Sequence, residues 1–434
     1  MHVVVIGGAS TYTPELIDGL IGRAADLGLT TVTLVDPDDV RRSIVSAFCR
    51  RMVAHHGGQF VIHDTADRRA ALQRAPHYVI TQLRVGGQSA RHGDELLGRR
   101  HGLIGQETTG VGGFAKALRT IPIMLDIAAD MRAFCPDALL VNFTNPAGII
   151  TEALVRHGGV KVIGLCNNAM TAQRGIAKSL AVDPAEVQIE QVGLNHLNWI
   201  RRITVGGSDV TADILAQRMD ELRGSDGVHV PAELIGMLQA LPSGYLDYFY
   251  LTKAIVAQQQ SGIPTRAEVV MDVERRLIER YADVHLCEKP AELMERGGAY
   301  YSTAAAALIC SHHLGDGATH VVNVRNDGAL PDLPDDVVVE VPCVVDRTGA
   351  HPLRHAPLAP VMHGLTSQVK AYEQLTIRAA VEGNEVLAMQ ALLSNPLGPD
   401  AQHVEEVWHD LRRTNASWID RLYGPGTAAP GAVR

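Results

Sequence analysis

The stretch that decides the fold is Val3-Val4-Val5-Ile6-Gly7-Gly8-Ala9-Ser10, a short apolar run that ends in paired glycines and a serine. The apolar run predicts a buried β-strand, and Pro14 suits the first turn of a helix expected over residues 14–25. A strand, a glycine turn and a helix in this order direct backbone N–H groups and a helix N-terminus towards a pyrophosphate. We therefore predict a dinucleotide site that includes Gly7, Gly8 and Ser10.

Asp36 supports the same interpretation, because it directly follows a second apolar run at residues 31–35. A carboxylate at that point can accept hydrogen bonds from both ribose hydroxyls of NAD and would repel the 2′-phosphate of NADP. Arg41 and Arg42 follow closely enough to keep NADP(H) open as an alternative. The motif has the form Gly-Gly-x-Ser rather than Gly-x-Gly-x-x-Gly, so an ordinary strand-to-helix turn with a turn aspartate also remains open.

Further apolar runs at residues 78–81, 138–143 and 160–165 alternate with helical stretches. This alternation predicts a doubly wound parallel sheet, so we expect an α/β, Rossmann-like dinucleotide-binding domain over residues 1–165. Beyond it the pattern changes, and residues 188–192 and 197–205 are predicted strands of a different sheet. We expect an α+β domain for substrate, metal and oligomer contacts over residues 166–423, and a flexible tail at 424–434.

Composition limits the partners of this chain of 434 residues. The net charge of -9 does not favour nucleic acid or an anionic membrane, so any anionic substrate needs a local cluster of basic groups. The six cysteines are scattered without Cys-x-x-Cys spacing, and no apolar run approaches the roughly 20 residues that span a bilayer. We expect a cytoplasmic protein with reduced thiols, without a signal peptide and without nucleic-acid or membrane partners.

Two further stretches, Gly164-Leu165-Cys166-Asn167 and Gly193-Leu194-Asn195-His196, contain a candidate metal pair. Taken alone, Cys166 fits a buried core thiol and His196 a hydrogen-bonded core histidine. Two protein ligands are too few for a tight structural site, but they suit a catalytic site whose other positions belong to water and substrate oxygens. A thiolate–imidazole pair does not by itself select manganese over zinc, iron, cobalt or nickel.

Seven blocks between residues 2 and 325 carry a family resemblance, and they occur in this order: Ile6-Gly7-Gly8-Ala9-Ser10-Thr11-Tyr12-Thr13-Pro14-Glu15-Leu16, Arg84-Val85-Gly86-Gly87, Gly105-Gln106-Glu107-Thr108-Thr109-Gly110, Asn142-Phe143-Thr144-Asn145-Pro146, Gly164-Leu165-Cys166-Asn167, Gly193-Leu194-Asn195-His196 and Ser243-Gly244-Tyr245-Leu246. Together they resemble glycoside hydrolase family 4, the NAD- and divalent-metal-dependent glycosidases. The resemblance is strongest to the 6-phospho-β-glucosidase branch of that family.

The resemblance implies a redox-neutral hydrolysis. NAD⁺ takes a hydride from C3 of the sugar, a base removes the C2 proton, the C1 aglycone is eliminated, water adds and the hydride returns. Cys166 and His196 are the implied ligands of a divalent metal, most often manganese, and Tyr245 is the implied base. Tyr248 and Tyr250 remain alternatives for the base, and a packing role remains open for Tyr245. Glu107 matches a position near the metal, although an ordinary loop carboxylate also fits.

The substrate is a sugar or sugar phosphate according to the same resemblance. Arg91 and Asn145 match sugar-contacting positions, with a solvated arginine and a loop-shaping asparagine as the alternatives. Arg266 matches a basic residue that binds the 6-phosphate, although a solvated helix residue is the competing interpretation. Asn167 replaces the aspartate typical of α-specific members and cannot donate a proton as an acid, which favours 6-phospho-β-glucosides. Relatives of this family often form dimers or tetramers, so we expect a homodimer or homotetramer.

Departures from the family pattern leave two other functions open. The segment Asn168-Ala169-Met170 differs from the usual continuation beside the substrate, so an unphosphorylated or biosynthetic sugar is a possible substrate. A sugar oxidoreductase or epimerase would use the same NAD and metal site without releasing an aglycone. A non-enzymatic NAD and sugar sensor is a third class, but a sensor has no need of a base such as Tyr245.

Overall fold

The computed structural model describes residues 1–296 and 301–423, so the predicted flexible tail at 424–434 lies outside the described residues. The strands are β1 His2–Ile6, β2 Thr31–Val35, β3 Val61–Thr65, β4 Tyr78–Thr81, β5 Leu139–Asn142, β6 Val162–Gly164, β7 Val187–Leu194, β8 Leu197–Val205, β9 Ser208–Asp209, β10 Leu241–Pro242, β11 Thr319–Arg325, β12 Val338–Asp346 and β13 Gly349–Pro352.

The α-helices are α1 Thr13–Ile21, α2 Ala24–Leu27, α3 Asp39–His55, α4 Arg68–Leu72, α5 Gly87–Arg100, α6 Gly110–Phe134, α7 Ala147–Ala153, α8 Asn168–Leu180, α9 Thr211–Arg223, α10 Ala232–Leu238, α11 Asp247–Tyr250, α12 Thr252–Gln260, α13 Arg266–Ala282, α14 Tyr301–Leu314, α15 Pro360–Glu382, α16 Glu385–Ser394 and α17 Val404–Tyr423. The helix predicted over residues 14–25 is thus interrupted between Ile21 and Ala24. No helix in the described ranges is long and apolar enough to cross a membrane.

Six parallel strands form the N-terminal part of the sheet in the order β6-β5-β4-β1-β2-β3. All five residues of β1 pair in parallel with β2, and the apolar side chains of β1 such as Val3 and Val5 are fully buried. The order reverses between β1 and β4, and in doubly wound sheets ligands bind in the crevice at such a switch point. The predicted Rossmann-like architecture is confirmed.

The prediction of a separate second sheet is wrong. Strand β11 pairs antiparallel with β6 through Asn323 and Gly164, and β12 pairs with β7 through Glu340 and Gly193. The strands of the C-terminal half therefore continue the N-terminal sheet as β10-β8-β7-β12-β11-β6. The physical reason is that the backbone groups on the free edge of β6 need partners, which β11 supplies. The division of the chain at residue 165 remains a prediction.

Candidate active site

The carboxyl ends of β1, β2, β4, β5 and β6 open onto one cavity of about 2020 Å³. Eleven of the twelve residues singled out from the sequence line it: Gly7, Ser10, Asp36, Arg91, Glu107, Asn145, Cys166, Asn167, His196, Tyr245 and Arg266. The exception is Gly8, which packs behind the turn. The structure thus gathers these residues around one space, while their individual roles remain predictions.

The glycine turn has the shape expected of a dinucleotide loop. Gly7 has a φ of +88°, and a Cβ atom there would lie 2.8 Å from the backbone nitrogen of Leu83. A Cβ atom on Gly8 would lie 2.8 Å from the Cβ atom of Leu34. Both glycine N–H groups donate to the carbonyl oxygen of Val35, which ties the turn to the end of β2. Only glycine fits these two positions, and the turn leads directly into α1.

Asp36 is oriented by the same turn. Its Oδ2 accepts a hydrogen bond of 3.1 Å from the N–H of Ala9, and its Oδ1 accepts one of 3.1 Å from the N–H of Asp38. Arg42 forms ion pairs with Asp39 and Asp64 outside the cavity lining, whereas Arg41 lines the cavity and pairs with Glu274 at 3.2 Å. Because Arg41 and Arg42 already have acidic partners, the site favours the ribose of NAD over that of NADP.

The side chains of Cys166 and His196 lie next to each other, although they follow different strands of the sheet. The Sγ of Cys166, two residues beyond β6, lies 3.7 Å from the Nε2 of His196, which sits in the two-residue turn between β7 and β8. Zinc-like bond lengths in a tetrahedral centre separate a sulfur and a nitrogen ligand by about 3.6 Å. The donor pair therefore fits a divalent metal. No cluster of three or more His, Cys, Asp or Glu residues suited to a metal occurs in the described ranges, so two protein ligands are what this site offers.

His196 adopts an uncommon backbone conformation. Its φ of +63° lies in the left-handed region, where a non-glycine residue costs of order 1 kcal/mol and often marks a functional site. Its ring stacks on Tyr245 with centroids 3.7 Å apart and planes 2° from parallel. The turn and the stack together fix the direction of the imidazole towards Cys166.

Burial determines the protonation states of His196, Cys166 and Tyr245. It lowers the pKa of His196 to about 3, with help from the charge of Lys116, so the imidazole is neutral and can act as a ligand. It raises the pKa of the Cys166 thiol to about 12, and the charge of Glu340 adds to this effect. Burial and the charges of Cys166 and Glu107 also raise the pKa of Tyr245. Both the thiol and the phenol need a nearby cation to lose their protons at neutral pH.

Glu107 lies in a cage of three cations. Its Oε2 pairs with Lys116 at 2.8 Å and with Arg84, and its Oε1 lies 3.4 Å from Nη2 of Arg91. Burial would raise the pKa of Glu107, but the charges of Arg84, Lys116 and Arg91 outweigh it and hold that pKa well below its usual value. Arg91 is itself buried, which excludes the solvated-surface alternative. Glu107 therefore remains ionised and orients cationic side chains at the cavity wall.

This cage predicts how stability depends on pH. A carboxylate with a lowered folded-state pKa stabilises the protein above its unfolded pKa of about 4.3, and this contribution is lost as the pH falls through the folded pKa. Glu107→Gln should therefore lower the thermal midpoint at pH 7, and the difference from the wild type should shrink on acidification from pH about 5 to about 3.5. Glu288→Gln, at an exposed site, serves as the control. A difference that stays constant with pH would contradict the assignment.

The remaining predicted residues occupy distinct parts of the cavity wall. Asn145 precedes α7 and accepts a hydrogen bond of 3.3 Å from the N–H of Ala147 through its Oδ1. Asn167 precedes α8 beside Cys166. Arg266 is exposed in the first turn of α13, and its Nη2 donates to the carbonyl oxygens of Glu295 and Arg296 at 3.0 and 2.9 Å.

The structure gives the three candidate tyrosines different environments. Tyr248 lines the cavity with its ring centroid 6.1 Å from that of Tyr245. Tyr250 is outside the cavity lining, and its hydroxyl accepts a hydrogen bond of 3.2 Å from Nε1 of Trp199. Only Tyr245 stacks on a member of the candidate metal pair, which makes it the better placed of the three.

Two family models match this chain. The model for the family 4 glycosyl hydrolases matches residues 2–182, and the model for the family 4 glycosyl hydrolase C-terminal domain matches residues 191–398. The chain belongs to this family. As a family 4 glycosyl hydrolase it is an enzyme of the glycosidase class, as the seven sequence blocks predicted.

Several relatives match nearly the whole chain. It is 39% identical to a probable 6-phospho-β-glucosidase of Bacillus subtilis (strain 168), covering 98% of both chains. A solved structure of the 6-phospho-β-glucosidase from Thermotoga maritima with NAD and glucose-6-phosphate is 36% identical, with a TM-score of 0.91 over 96% of this chain and 99% of that chain. A second structure of that enzyme, with manganese, NAD⁺ and glucose-6-phosphate, has a TM-score of 0.90 at the same identity and coverage.

Sequence reasoning missed two cationic residues of this family 4 enzyme. Lys116 and Arg84 both contact Glu107, yet neither was singled out as a site residue. A signal for Lys116 was present, because a lysine in the apolar run Gly113-Phe114-Ala115-Lys116-Ala117-Leu118 cannot be buried without an anionic partner. Arg84 lies within a quoted block, but only the fold shows which carboxylate it meets.

Proposed function

We propose that this enzyme hydrolyses 6-phospho-β-glucosides with the help of NAD⁺ and a divalent metal, and that this metal is Mn²⁺. One observation carries the proposal: the pair formed by Cys166 and His196, with Tyr245 stacked on it, lines the same cavity as the glycine turn and Asp36. A hydride acceptor, a Lewis acid and a base could therefore act on one sugar ring. The relatives named above, and the ligands in the Thermotoga maritima structures, support the substrate and the cofactors.

When bound, NAD⁺ supplies a hydride acceptor for C3 of the sugar, and the divalent ion supplies a Lewis acid for the oxygens on C2 and C3. Asp36 and the glycine turn hold the dinucleotide, and Cys166 and His196 are the residues that would hold the ion. Tyr245 takes the proton from C2, which is acidic once C3 is a ketone. The aglycone then leaves C1, water adds there and the hydride returns to C3, so the net reaction is hydrolysis.

Substrate recognition is assigned to four further residues. Arg91 and Asn145 hold sugar hydroxyls, and Asn167 lies beside the metal pair without a proton to donate as an acid, which suits a β-linked substrate. Arg266 supplies a guanidinium for the 6-phosphate, and the carbonyl oxygens of Glu295 and Arg296 orient it. The homodimeric or homotetrameric state and the cytoplasmic location remain predictions.

The decisive assay measures release of p-nitrophenol from matched β-glucoside and 6-phospho-β-glucoside substrates. The protein is stripped with a chelator and then resupplied with NAD⁺, Mn²⁺ and a thiol reductant, singly and together. We expect cleavage of the phosphorylated substrate alone, and only with both NAD⁺ and metal present. Cleavage of the plain glucoside would refute the phosphate requirement. Accumulation of NADH without p-nitrophenol would instead identify a net sugar oxidoreductase.

Asp36→Ala should weaken NAD⁺ binding about 10- to 100-fold, because hydrogen bonds to a charged group contribute about 1.5–3 kcal/mol. The preference for NAD⁺ over NADP⁺ should also narrow, since the carboxylate no longer repels a 2′-phosphate. Titration of NAD⁺ and NADP⁺ by calorimetry measures both effects. Asp26→Ala is the control, because Asp26 is exposed, lies outside the cavity lining and pairs with Arg23 rather than with Arg41 or Arg42. Equal losses in the two variants would contradict the role of Asp36.

Arg266→Gln should raise KM for a 6-phospho-β-glucoside about tenfold or more, because a charge-assisted contact to the phosphate is lost. The variant should have little effect on kcat, since the guanidinium is not assigned to the reacting atoms. Arg280→Gln on the same helix is the control, because Arg280 is exposed and outside the cavity lining. An unchanged KM would show that the phosphate binds elsewhere.

A further inference from the structure

Glu340 is a buried carboxylate whose observed hydrogen-bond donors are all uncharged amides. It is 1% exposed, and among the described residues no lysine, arginine or histidine forms an ion pair with it. Its Oε1 accepts from Gln191 Nε2 at 3.1 Å and from Asn198 Nδ2 at 2.7 Å, and its Oε2 accepts from Asn195 Nδ2 at 2.7 Å and from Asn323 Nδ2 at 2.9 Å. We call these four residues the amide cradle.

The amide cradle joins the two parts of the sheet that carry the metal pair. Three of its members belong to the β7–β8 hairpin, whose turn presents His196, and Asn195 is the residue directly before it. The fourth, Asn323, pairs through its backbone with Gly164, two residues before Cys166. Glu340 itself pairs with Gly193, three residues before His196. One carboxylate therefore ties the segments that present both ligands.

Burying the Glu340 carboxylate costs free energy of folding, and an uncharged side chain at this position would avoid that cost. Burying a carboxylate without a cation is expensive, and amide donors offset only part of that cost. Burial raises the pKa of Glu340 to about 6, although the amide hydrogen bonds lower it in part. Asn195 donates to Glu340 at 2.7 Å and directly precedes His196, so the carboxylate lies one side chain away from the candidate metal pair. Asn195 completes the connection, because it also interacts with the Cys166 thiol.

We propose that Glu340 is a positioning residue that holds Cys166 and His196 at the separation a divalent cation needs and places a negative charge behind that cation. The inference rests on the proposed function, since it takes these two residues as the metal ligands. Groups that hydrogen-bond to metal ligands typically change metal affinity about 10- to 100-fold when removed, and Asn195 provides that link between Glu340 and Cys166. Glu340 acts through the amide cradle and does not touch the reacting atoms.

The test is a Co²⁺ titration of the chelator-stripped enzyme, followed by the charge-transfer absorbance that a cobalt–thiolate bond produces. Glu340→Gln keeps the size of the side chain and removes its charge, so we expect Co²⁺ to bind about 10- to 100-fold more weakly. Glu340→Asp retains the charge and should recover a substantial part of that loss. Glu190→Gln is the matched control, because Glu190 lies on β7 and pairs with Arg201 at 2.6 Å. It should bind Co²⁺ like the wild type.

The possible outcomes separate this inference from the proposed function. If the wild type shows a cobalt–thiolate band that Cys166→Ser abolishes, and Glu340→Gln binds Co²⁺ with unchanged affinity, the inference is overturned and the metal pair stands. If the wild type shows no such band, the metal pair and the inference both fail. Should Glu340→Gln not fold, Asn195→Ser removes one donor and leaves the charge in place. A weaker Co²⁺ affinity in that variant supports the role of the amide cradle, and an unchanged affinity refutes it.

Discussion

Cys166→Ser is expected to lower kcat/KM for a 6-phospho-β-glucoside by about 10³-fold. A Lewis acid contributes several kcal/mol to the transition state, and about 4 kcal/mol corresponds to about 10³-fold in rate. Serine presents a harder, less basic oxygen donor at a position where the imidazole of His196 lies only 3.7 Å away. The measurement is steady-state kinetics across a range of Mn²⁺ concentrations.

Cys135→Ser is the matched control for this variant. Cys135 is also buried, but it follows α6 and lies outside the cavity lining, so its replacement should leave metal dependence unchanged. Part of the loss in Cys166→Ser should be regained at high Mn²⁺ if the remaining ligand still binds the ion weakly. A Cys166→Ser enzyme with wild-type activity and unchanged metal dependence would place the metal elsewhere.

Tyr245→Phe is expected to lower kcat by about 10²- to 10⁴-fold, the range that general-base catalysis contributes. The phenyl ring keeps the stack on His196, so metal affinity and thermal stability should change little. Because its raised pKa keeps the phenol protonated at neutral pH, Tyr245 can act as a base only if the cation that Cys166 and His196 would hold lowers that pKa. Incorporation of solvent deuterium at C2 of the product, measured by NMR, should fall in parallel with kcat.

Two variants at neighbouring tyrosines distinguish the base. Tyr250→Phe removes a hydroxyl that accepts a hydrogen bond from Trp199 outside the cavity lining, so it should retain C2 exchange. Tyr248→Phe removes a hydroxyl near the cavity without touching the His196 stack. If Tyr248→Phe abolishes deuterium incorporation and Tyr245→Phe does not, Tyr248 is the base. Wild-type exchange in all three variants would exclude a tyrosine base from this segment.

Local chemistry made much of the enzyme predictable from its sequence. The apolar run before Gly7 and the alternation of strands and helices predict the parallel sheet, because side-chain periodicity and turn residues act over a few positions. Asp36 could be located because it follows a strand directly. The order of the seven blocks singled out Cys166, His196 and Tyr245, and all three line the same cavity.

The tertiary structure decided what depends on pairing between distant segments. The family resemblance implied that Cys166 and His196 share a metal, but only the fold brings them to within 3.7 Å of each other. No sequence pattern indicated the three cations around Glu107. The sequence also predicted a second sheet. In the structure, the C-terminal strands instead extend the N-terminal sheet through the pairing of Asn323 with Gly164. Glu340 is separated from the hairpin it holds by about 140 to 150 positions, so no local pattern marks it. Local periodicity encodes the elements, whereas the need to satisfy buried edges and charges selects their partners only once the chain is folded.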